Sequence, residues 1–265
     1  MSTRHQLLQL RRHLLKTLIP ELIWPETATV DGVPIPVRSA PYSFGVKKLL
    51  AWSNDYELPE RTIVRSVLRP GAQVVELGAS IGVLTAVISH SVGLTGKVVS
   101  VEADPLLVEY ASGWLKNAFP QTEMVTGFAF PVSRIPTSLT VTKFDNHRGS
   151  LGGTVHFSLA GESTAGAPDD LDRSPPSSRE VWDIETLCAT FDIRPQVLVV
   201  DVEGSEAIVG CQNPYFPESI HDLVMELHPW TYPDGETEAQ AIESRIVSEG
   251  FTRVSRIGAT YHWSR

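Results

Sequence analysis

A predicted buried strand that runs into two glycines four residues apart is the feature that most constrains this chain. Residues 73–77 form the strand and lead into Gly78 and Gly82. Residues 81–90 then have the apolar spacing of a helix. Glycine has no Cβ, so the backbone of such a turn can approach a ligand closely. The dinucleotide fingerprint would need a glycine where this chain has Glu76, so the segment predicts a ligand loop that differs from an NAD loop.

A second predicted strand, over residues 97–102, brings a carboxylate to this loop. It ends at Glu102, twenty residues after Gly82. A carboxylate at that position can accept hydrogen bonds from both hydroxyls of a ribose. An acid before the glycine loop suits a cofactor that carries an amino acid and a nucleoside, which describes S-adenosylmethionine. The predicted cofactor-binding residues are Glu57, Glu76, Gly78, Ala79, Ser80, Gly82, Glu102, Ala103 and Asp201.

Strand and helix patterns alternate along most of the chain, which predicts an α/β fold with a parallel sheet covered on both faces. We expect a doubly wound, Rossmann-like sheet that an antiparallel pair closes at the C-terminus, over residues 251–256 and 260–264. Further strands are predicted over residues 123–130, 138–144, 196–201 and 222–228, and further helices over residues 56–69, 105–117, 182–190, 205–210 and 236–249.

Residues 1–54 are expected to form an appendage to a domain of residues 55–265. Leucines at helical spacing predict an amphipathic N-terminal helix that docks on the body or joins subunits of a homo-oligomer. A hairpin is predicted around Asp31 and Gly32. Residues 161–178 are rich in Gly, Ser, Pro and Asp without periodicity, which predicts a surface loop or a mobile lid.

Charge and cysteine content exclude several classes of protein. The chain has 265 residues, a formal net charge of −9 and two cysteines. Two cysteines rule out a disulfide scaffold and a cysteine-based zinc cluster, and an acidic chain has no overall field that attracts phosphate backbones. No apolar run approaches the ~18 residues of a membrane helix. We therefore expect a cytoplasmic protein with a small-molecule or oligosaccharide acceptor, no nucleic-acid partner and no membrane span.

Several motifs make the chain similar to class I S-adenosylmethionine-dependent methyltransferases and, more narrowly, to the FkbM family. The resemblance extends over roughly residues 55–230 and is sharpest in Asp-Val-Glu-Gly-Ser-Glu at residues 201–206. It includes the glycine loop and Met-Glu-Leu-His at residues 225–228. The resemblance implies a seven-stranded, mostly parallel sheet and O-methylation of a small natural product or sugar. Many members carry a lysine two positions before the aspartate, where this chain has Val199.

Acids and a histidine follow two predicted neighbouring strands, at the edge where doubly wound sheets bind ligands. Asp201 ends one strand, while Glu226 and His228 end the next, where residues two apart point the same way. These three residues are predicted to bind Mg²⁺ or Mn²⁺, of which Mn²⁺ suits the histidine better. Some cation-dependent O-methyltransferases carry acids at the ends of the same two strands, and that similarity motivates the prediction.

Transfer of a methyl group from a sulfonium needs an acceptor oxygen that is aligned and deprotonated. Without a metal, the predicted base is His147, His156 or His228, because histidine titrates near neutrality. Asp201 and Glu203 could act beside that base or could instead cap a following helix. The predicted catalytic residues are His147, Asp201, Glu203 and His228.

We expect an O-methyltransferase that acts on a hydroxyl of a sugar, an oligosaccharide or a glycosylated natural product. The alternatives are a non-sugar metabolite with a polyketide-type hydroxyl, or a non-catalytic cofactor-binding partner of a biosynthetic complex. Aromatic side chains could stack on sugar rings, although most such side chains belong to cores or interfaces. The candidates are Trp182, Trp230, Tyr232 and Trp263.

Overall fold

The fold was established from a computed structural model, which describes residues 23–131, 139–146, 153–159, 181–206 and 215–265. Four of the predictions above fall outside the described residues, in whole or in large part. They are the N-terminal amphipathic helix, the site residue His147, the loop of residues 161–178 and most of the helix over residues 205–210. The chain divides into two compact units.

The first unit consists of residues 1–58 with 148–151. Two of its strands pair antiparallel as the predicted hairpin, across a turn in which Asp31 and Gly32 both have positive φ. Two short helical segments follow that the sequence pattern did not reveal. The elements are β1 (Thr27–Val30), β2 (Val33–Pro36), α1 (Phe44–Lys48) and a π-helical segment (Leu49–Ser53).

The second unit, residues 59–147 with 152–265, alternates strands and helices. Its strands are β3 (Gln73–Leu77), β4 (Lys97–Glu102), β5 (Thr122–Thr126), β6 (Phe128–Phe130), β7 (Leu139–Asn146), β8 (Gly153–Leu159), β9 (Val181–Asp183), β10 (Val197–Val200), β11 (Asp222–Glu226), β12 (Thr252–Ile257) and β13 (Thr260–Ser264). The remaining helices among the described residues are α2 (Leu58–Val67), α3 (Val83–Val92), α4 (Pro105–Ala118), α5 (Ile184–Thr190) and α6 (Glu236–Ser248). None of the described helices has the length and hydropathy that crossing a membrane requires.

Seven strands form one sheet in the order β12-β13-β11-β10-β3-β4-β5. The strands from β11 to β5 pair parallel, and β13 pairs antiparallel with both β11 and β12. The predicted doubly wound, mostly parallel, seven-stranded sheet with an antiparallel C-terminal strand is therefore confirmed. The inner strands are runs of buried valine and leucine because hydrophobic clusters cover both faces of the sheet.

The carboxyl ends of β3, β4, β10 and β11 lie at one edge of this sheet because the four strands are adjacent and parallel. The chain leaves β3 toward β4 on one side, and β10 lies on its other side. Ligands bind at such a reversal of strand order in α/β sheets. Helix α4 begins just past this edge because Asp104 caps it by accepting a hydrogen bond from the Leu106 amide.

The sequence pattern misplaced several elements between residues 123 and 190. The strand predicted over residues 123–130 is interrupted at Gly127, after which β6 pairs with β9 in a separate small sheet. Strand β7 pairs with β8, which was not predicted because its flanking glycines are typical of a loop. Strand β9 and helix α5 occupy the segment for which a single helix was predicted.

Candidate active site

The glycine loop connects β3 to α3, and both of its glycines have positive φ, 91° at Gly78 and 82° at Gly82. A Cβ on Gly78 would lie 1.6 Å from the backbone oxygen of Asp201, and one on Gly82 would lie 2.8 Å from Leu115 of α4. The sequence predicted that these glycines admit a ligand. The structure shows that they make room for the Asp201 backbone and the Leu115 side chain, and their ligand role stays a prediction. The loop is therefore packed directly against the residue that follows β10.

Glu102 lies at the end of β4 and is bonded to the glycine loop. Its Oε2 accepts a hydrogen bond from the Ser80 amide at 2.8 Å, and its Oε1 accepts one from the Asp104 amide at 2.7 Å. Burial raises the pKa of Glu102, and these two amide bonds partly offset that effect. A carboxylate has about four lone-pair sites, so Glu102 can still accept a hydrogen bond from a ribose hydroxyl.

Ser80 has a φ of 48°, which is uncommon for a residue other than glycine and directs its amide toward Glu102. Its Oγ is buried and has no hydrogen-bond partner among the described residues. A buried hydroxyl without a hydrogen-bond partner costs free energy, so the loop suits a ligand that forms a hydrogen bond with the Ser80 hydroxyl. The Ala79 amide, by contrast, donates to the Val101 carbonyl at 3.0 Å. Ala103 lies in the bend that follows Glu102.

Glu76 contacts α3 and β4 from inside the sheet and is 1% exposed. Its Oε2 accepts hydrogen bonds from the hydroxyls of Thr85 and Ser100, each at 2.6 Å. Burial raises the pKa of Glu76 to about 7, although both hydroxyls act to lower it. Its Oε1 has no hydrogen-bond partner in the part of the chain that the structure describes. These contacts are internal to the protein, so the cofactor role of Glu76 stays a prediction.

Residues 201–206 form a turn that we call the acid loop, and Glu206 holds it from the inside. The fully buried Glu206 carboxylate accepts hydrogen bonds from the amides of Val202 at 3.0 Å and Gly204 at 2.9 Å. Glu203 has a φ of 51°, in the left-handed region. Left-handed conformations at residues other than glycine concentrate at functional sites, where the surrounding structure holds them in place.

His228 lies two residues beyond the end of β11 and is 2% exposed. Its Nδ1 lies 3.0 Å from Glu206 Oε1. Its Nε2 lies 3.5 Å from Glu203 Oε2 and 3.6 Å from both Asp201 Oδ1 and Glu226 Oε2. Four carboxylates thus surround one imidazole at the carboxyl ends of β10 and β11, and we call these five residues the acid cluster.

These charges shift the proton equilibria of the site. Burial lowers the pKa of His228, but its bond to Glu206 and the surrounding carboxylates outweigh burial and raise the pKa to about 9. Burial, reinforced by the charge of Glu60, raises the pKa of Glu226 to about 7, and His228 acts in the opposite direction. A protonated imidazole cannot accept a proton, so the predicted base role of His228 first requires loss of that proton.

Two aromatic side chains complete the surroundings of His228. The Tyr232 hydroxyl donates to Glu206 Oε2 at 3.0 Å and accepts a hydrogen bond from the His228 amide at 2.9 Å. Trp230 packs edge-on against the imidazole, with ring centroids 5.1 Å apart, and is 69% exposed. Of the four aromatic candidates for sugar stacking, Tyr232 and Trp263 are buried, and Trp230 has an open face.

The structure brings four of the predicted site residues together, namely Asp201, Glu203, Glu226 and His228. Ligand atoms of Asp201, Glu203 and His228 all lie within 4.8 Å of one another. Glu203 thus joins Asp201 and His228 as a possible ligand, and Glu226 Oε2 also lies 3.6 Å from His228 Nε2, so the predicted metal set of Asp201, Glu226 and His228 stays a prediction.

The sequence analysis did not assign a role to Glu206, and it considered Tyr232 only as a residue that could stack on a sugar ring. The available signal was the position of Glu206 inside the distinctive segment of residues 201–206. Glu57 belongs to the first unit and has a φ of 51°, and its cofactor role stays a prediction. The roles of His147 and of the His156 side chain likewise stay predictions, because neither side chain is described.

One family model matches part of the chain. It describes protein-L-isoaspartate(D-aspartate) O-methyltransferase and matches residues 61–127. The matched segment contains the glycine loop and Glu102 and ends before the acid loop. No curated protein matches the sequence.

Solved structures that are similar to parts of this chain include two fibrillarins and a protein-L-isoaspartate O-methyltransferase. Aeropyrum pernix fibrillarin with natively bound S-adenosyl-L-methionine is 9% identical over 77% of this chain and 73% of that chain, with a TM-score of 0.41. Methanococcus jannaschii fibrillarin, a pre-rRNA processing protein, is 10% identical over 74% and 67%, with a TM-score of 0.45. A protein-L-isoaspartate O-methyltransferase is 29% identical over 26% of this chain and 23% of that chain, with a TM-score of 0.25.

The sheet order, the glycine loop and the matched segment define this chain as an S-adenosylmethionine-dependent methyltransferase with a Rossmann-like fold. The narrower resemblance to the FkbM family is not confirmed. The expected lack of a nucleic-acid partner stays a prediction.

Proposed function

We propose that the protein is an O-methyltransferase that acts on a hydroxyl of a sugar, an oligosaccharide or a glycosylated natural product. The observation that carries this proposal is the contact between the glycine loop and the acid loop. Gly78 lies against the backbone of Asp201 so closely that a Cβ would not fit. A methyl donor on the glycine loop would therefore lie beside a group of carboxylates that can take up a proton.

The cofactor would be held around Glu102. Free lone pairs of its carboxylate suit the two ribose hydroxyls, and the buried Ser80 hydroxyl offers one more hydrogen bond. Bound S-adenosylmethionine supplies an electrophilic methyl group. The protein has chiefly to align the acceptor oxygen and remove its proton.

Electrostatics favours a neutral hydroxyl as the acceptor. Four carboxylates lie around His228, and the chain has a net charge of −9. Like charges repel at these short distances, so a carboxylate or phosphate on the acceptor would be disfavoured. The isoaspartyl substrate named for the matched family is not supported here, since the match ends at residue 127, before the acid loop.

Trp230 supports a carbohydrate among the neutral acceptors. Its indole is exposed and contacts the histidine of the cluster. Indole faces suit the apolar faces of sugar rings, so a sugar stacked on Trp230 would have its hydroxyls near the carboxylates. A polyketide-type hydroxyl could use the same carboxylates but would gain less from the indole.

Methyl-labelled S-adenosylmethionine offered with separate pools of neutral glycosides, polyketide-type alcohols, isoaspartyl peptides and RNA tests the proposal. We expect label in the glycoside pool. We also expect Asp201→Asn or His228→Ala to slow transfer about 100-fold, the size of a lost acid–base contribution. The dissociation constant for S-adenosylhomocysteine should change far less. Transfer to RNA or isoaspartyl peptide alone would contradict the acceptor, and cofactor binding without any transfer would indicate the non-catalytic alternative.

A further inference from the structure

The acid cluster contains a buried imidazole nitrogen that faces three carboxylates at distances too long for hydrogen bonds. His228 Nε2 lies 3.5–3.6 Å from Asp201, Glu203 and Glu226, whereas an N–H···O hydrogen bond spans about 2.7–3.2 Å. Two ligand atoms that lie about 2.1–2.2 Å from one ion and about 90–110° apart are about 3.0–3.6 Å from each other. The separations around Nε2 therefore suit the ligands of a shared cation better than direct hydrogen bonds.

The imidazole is also held in the orientation that such a cation needs. Its Nδ1 is bonded to Glu206, which is itself fixed by two backbone amides and by the Tyr232 hydroxyl. The ring cannot turn to find another partner for Nε2 without breaking the bond between Nδ1 and Glu206. Histidines that bind metals almost always have their other ring nitrogen held by a carboxylate, a carbonyl or water in this way.

We propose that Asp201, Glu203 and His228 bind a divalent cation, with Glu226 beside it. Their ligand atoms all lie within 4.8 Å of one another. A set of carboxylate oxygens with one imidazole nitrogen suits Mn²⁺ better than Mg²⁺, which prefers oxygen alone. Three protein ligands leave positions for water and for an acceptor hydroxyl, whose pKa a bound cation lowers. Only this last role rests on the proposed function, because binding of the cation does not require methyl transfer.

Titration of the chelator-treated, full-length protein with Mn²⁺, followed through the electron paramagnetic resonance signal of free Mn²⁺, tests this site. We expect one bound Mn²⁺ per chain and at least tenfold weaker binding in Glu203→Gln. The Glu203 side chain is 44% exposed, so this substitution should leave the fold intact, which circular dichroism can verify. Asp222→Asn is the matched control. Asp222 begins β11, at the opposite end from Glu226, and its Oδ1 lies 2.8 Å from His262 Nε2.

The outcomes separate this inference from the proposed function. Absence of Mn²⁺ binding by the wild type would overturn the inference, as would equal weakening by Glu203→Gln and Asp222→Asn. Methyl transfer to glycosides without Mn²⁺ binding would overturn the cation site and leave the proposed function standing. Mn²⁺ binding that depends on Glu203, in a protein that transfers no methyl group, would support the site and contradict the function.

Discussion

The two loops that follow β3 and β10 are in contact but are stabilised in different ways. The glycine loop is held by backbone contacts, and its neighbouring acid, Glu102, is bonded to two amides. The acid loop carries Asp201 and Glu203 toward a histidine that two further carboxylates also approach. The geometry of the glycine loop requires two positions without a side chain. The acid loop instead brings together carboxylate side chains whose charges repel one another.

This difference indicates that the two loops have different roles at the same edge of the sheet. A loop without bulky side chains can fit a cofactor closely at little electrostatic cost. A cluster of carboxylates is costly to assemble and is retained where charge is needed. Glu206 makes the cluster possible, because it bonds both the backbone of the acid loop and the His228 ring.

The largest effect is expected where the two loops touch. Gly78→Ala would place a Cβ 1.6 Å from the Asp201 oxygen, so we expect it to lower the free energy of unfolding by about 4 kcal/mol or more, or to prevent folding. Chemical denaturation measures this loss. Gly250→Ala is the control, because Gly250 has a φ of 89°, like Gly78, and a Cβ there would meet nothing within 4 Å. The control should lose only about 1–2 kcal/mol, and equal losses would refute the contact between the loops.

Glu76 gives the next largest effect, as a dependence of stability on pH. Its pKa rises from 4.5 to about 7 on folding. As pH increases, Glu76 therefore loses its proton at a lower pH in the unfolded chain than in the folded one. Its contribution to stability is therefore greatest below pH 4.5 and is lost as pH rises to 7. Glu76→Gln cannot titrate. The unfolding free energy of the wild type minus that of Glu76→Gln should fall by about 2–3 kcal/mol between pH 5 and pH 8. A difference that does not vary with pH would contradict the burial of an ionisable Glu76.

Glu206→Gln tests the support of the acid loop. The two carboxylate oxygens of Glu206 each accept a hydrogen bond from a backbone amide of the acid loop. An amide NH₂ in place of one oxygen would leave one of these backbone amides without its acceptor. We expect methyl transfer to fall about 10–100-fold, while the dissociation constant for S-adenosylhomocysteine changes less than about threefold. Steady-state rates and calorimetry measure the two effects, with the exposed Glu218→Gln as control. A cofactor affinity that falls as much as the rate would show that the two loops do not work separately.

Glu102→Gln tests the glycine loop and is expected to have the smallest effect. The loss of one charged acceptor near the ribose should weaken S-adenosylhomocysteine binding about tenfold, which equals about 1.4 kcal/mol. Asp104→Asn is the neighbouring control, because asparagine still caps α4. Calorimetry should give near wild-type affinity for the control. If the two variants bind equally well, Glu102 does not hold the ribose.

Much of the geometry of the glycine loop could be predicted from sequence because its information is local. The strand, both glycines and Glu102 all lie within residues 73–102. Each of these signals predicts a local backbone conformation, which does not depend on how distant parts of the chain pack. The residues that a Cβ at Gly78 or Gly82 would contact could not be predicted. These residues, Asp201 and Leu115, come close to the loop only because the sheet and helices pack together.

The acid cluster could be predicted only in part, because contacts between distant residues determine its geometry. The placement of Asp201, Glu203 and Glu226 followed from parallel neighbouring strands. The orientation of His228 did not, since Glu206 and Tyr232 determine it and β11 ends before it. Strand β8 was missed for the same reason, since its pairing with β7 outweighs the loop-like glycines beside it.

Calorimetric titration of the wild-type protein with S-adenosylhomocysteine and, separately, with NAD tests the central claim that the loop after β3 binds a nucleoside carrying an amino acid. We predict saturable binding of one S-adenosylhomocysteine per chain and no saturable binding of NAD. Saturable binding of NAD without binding of S-adenosylhomocysteine would contradict the account.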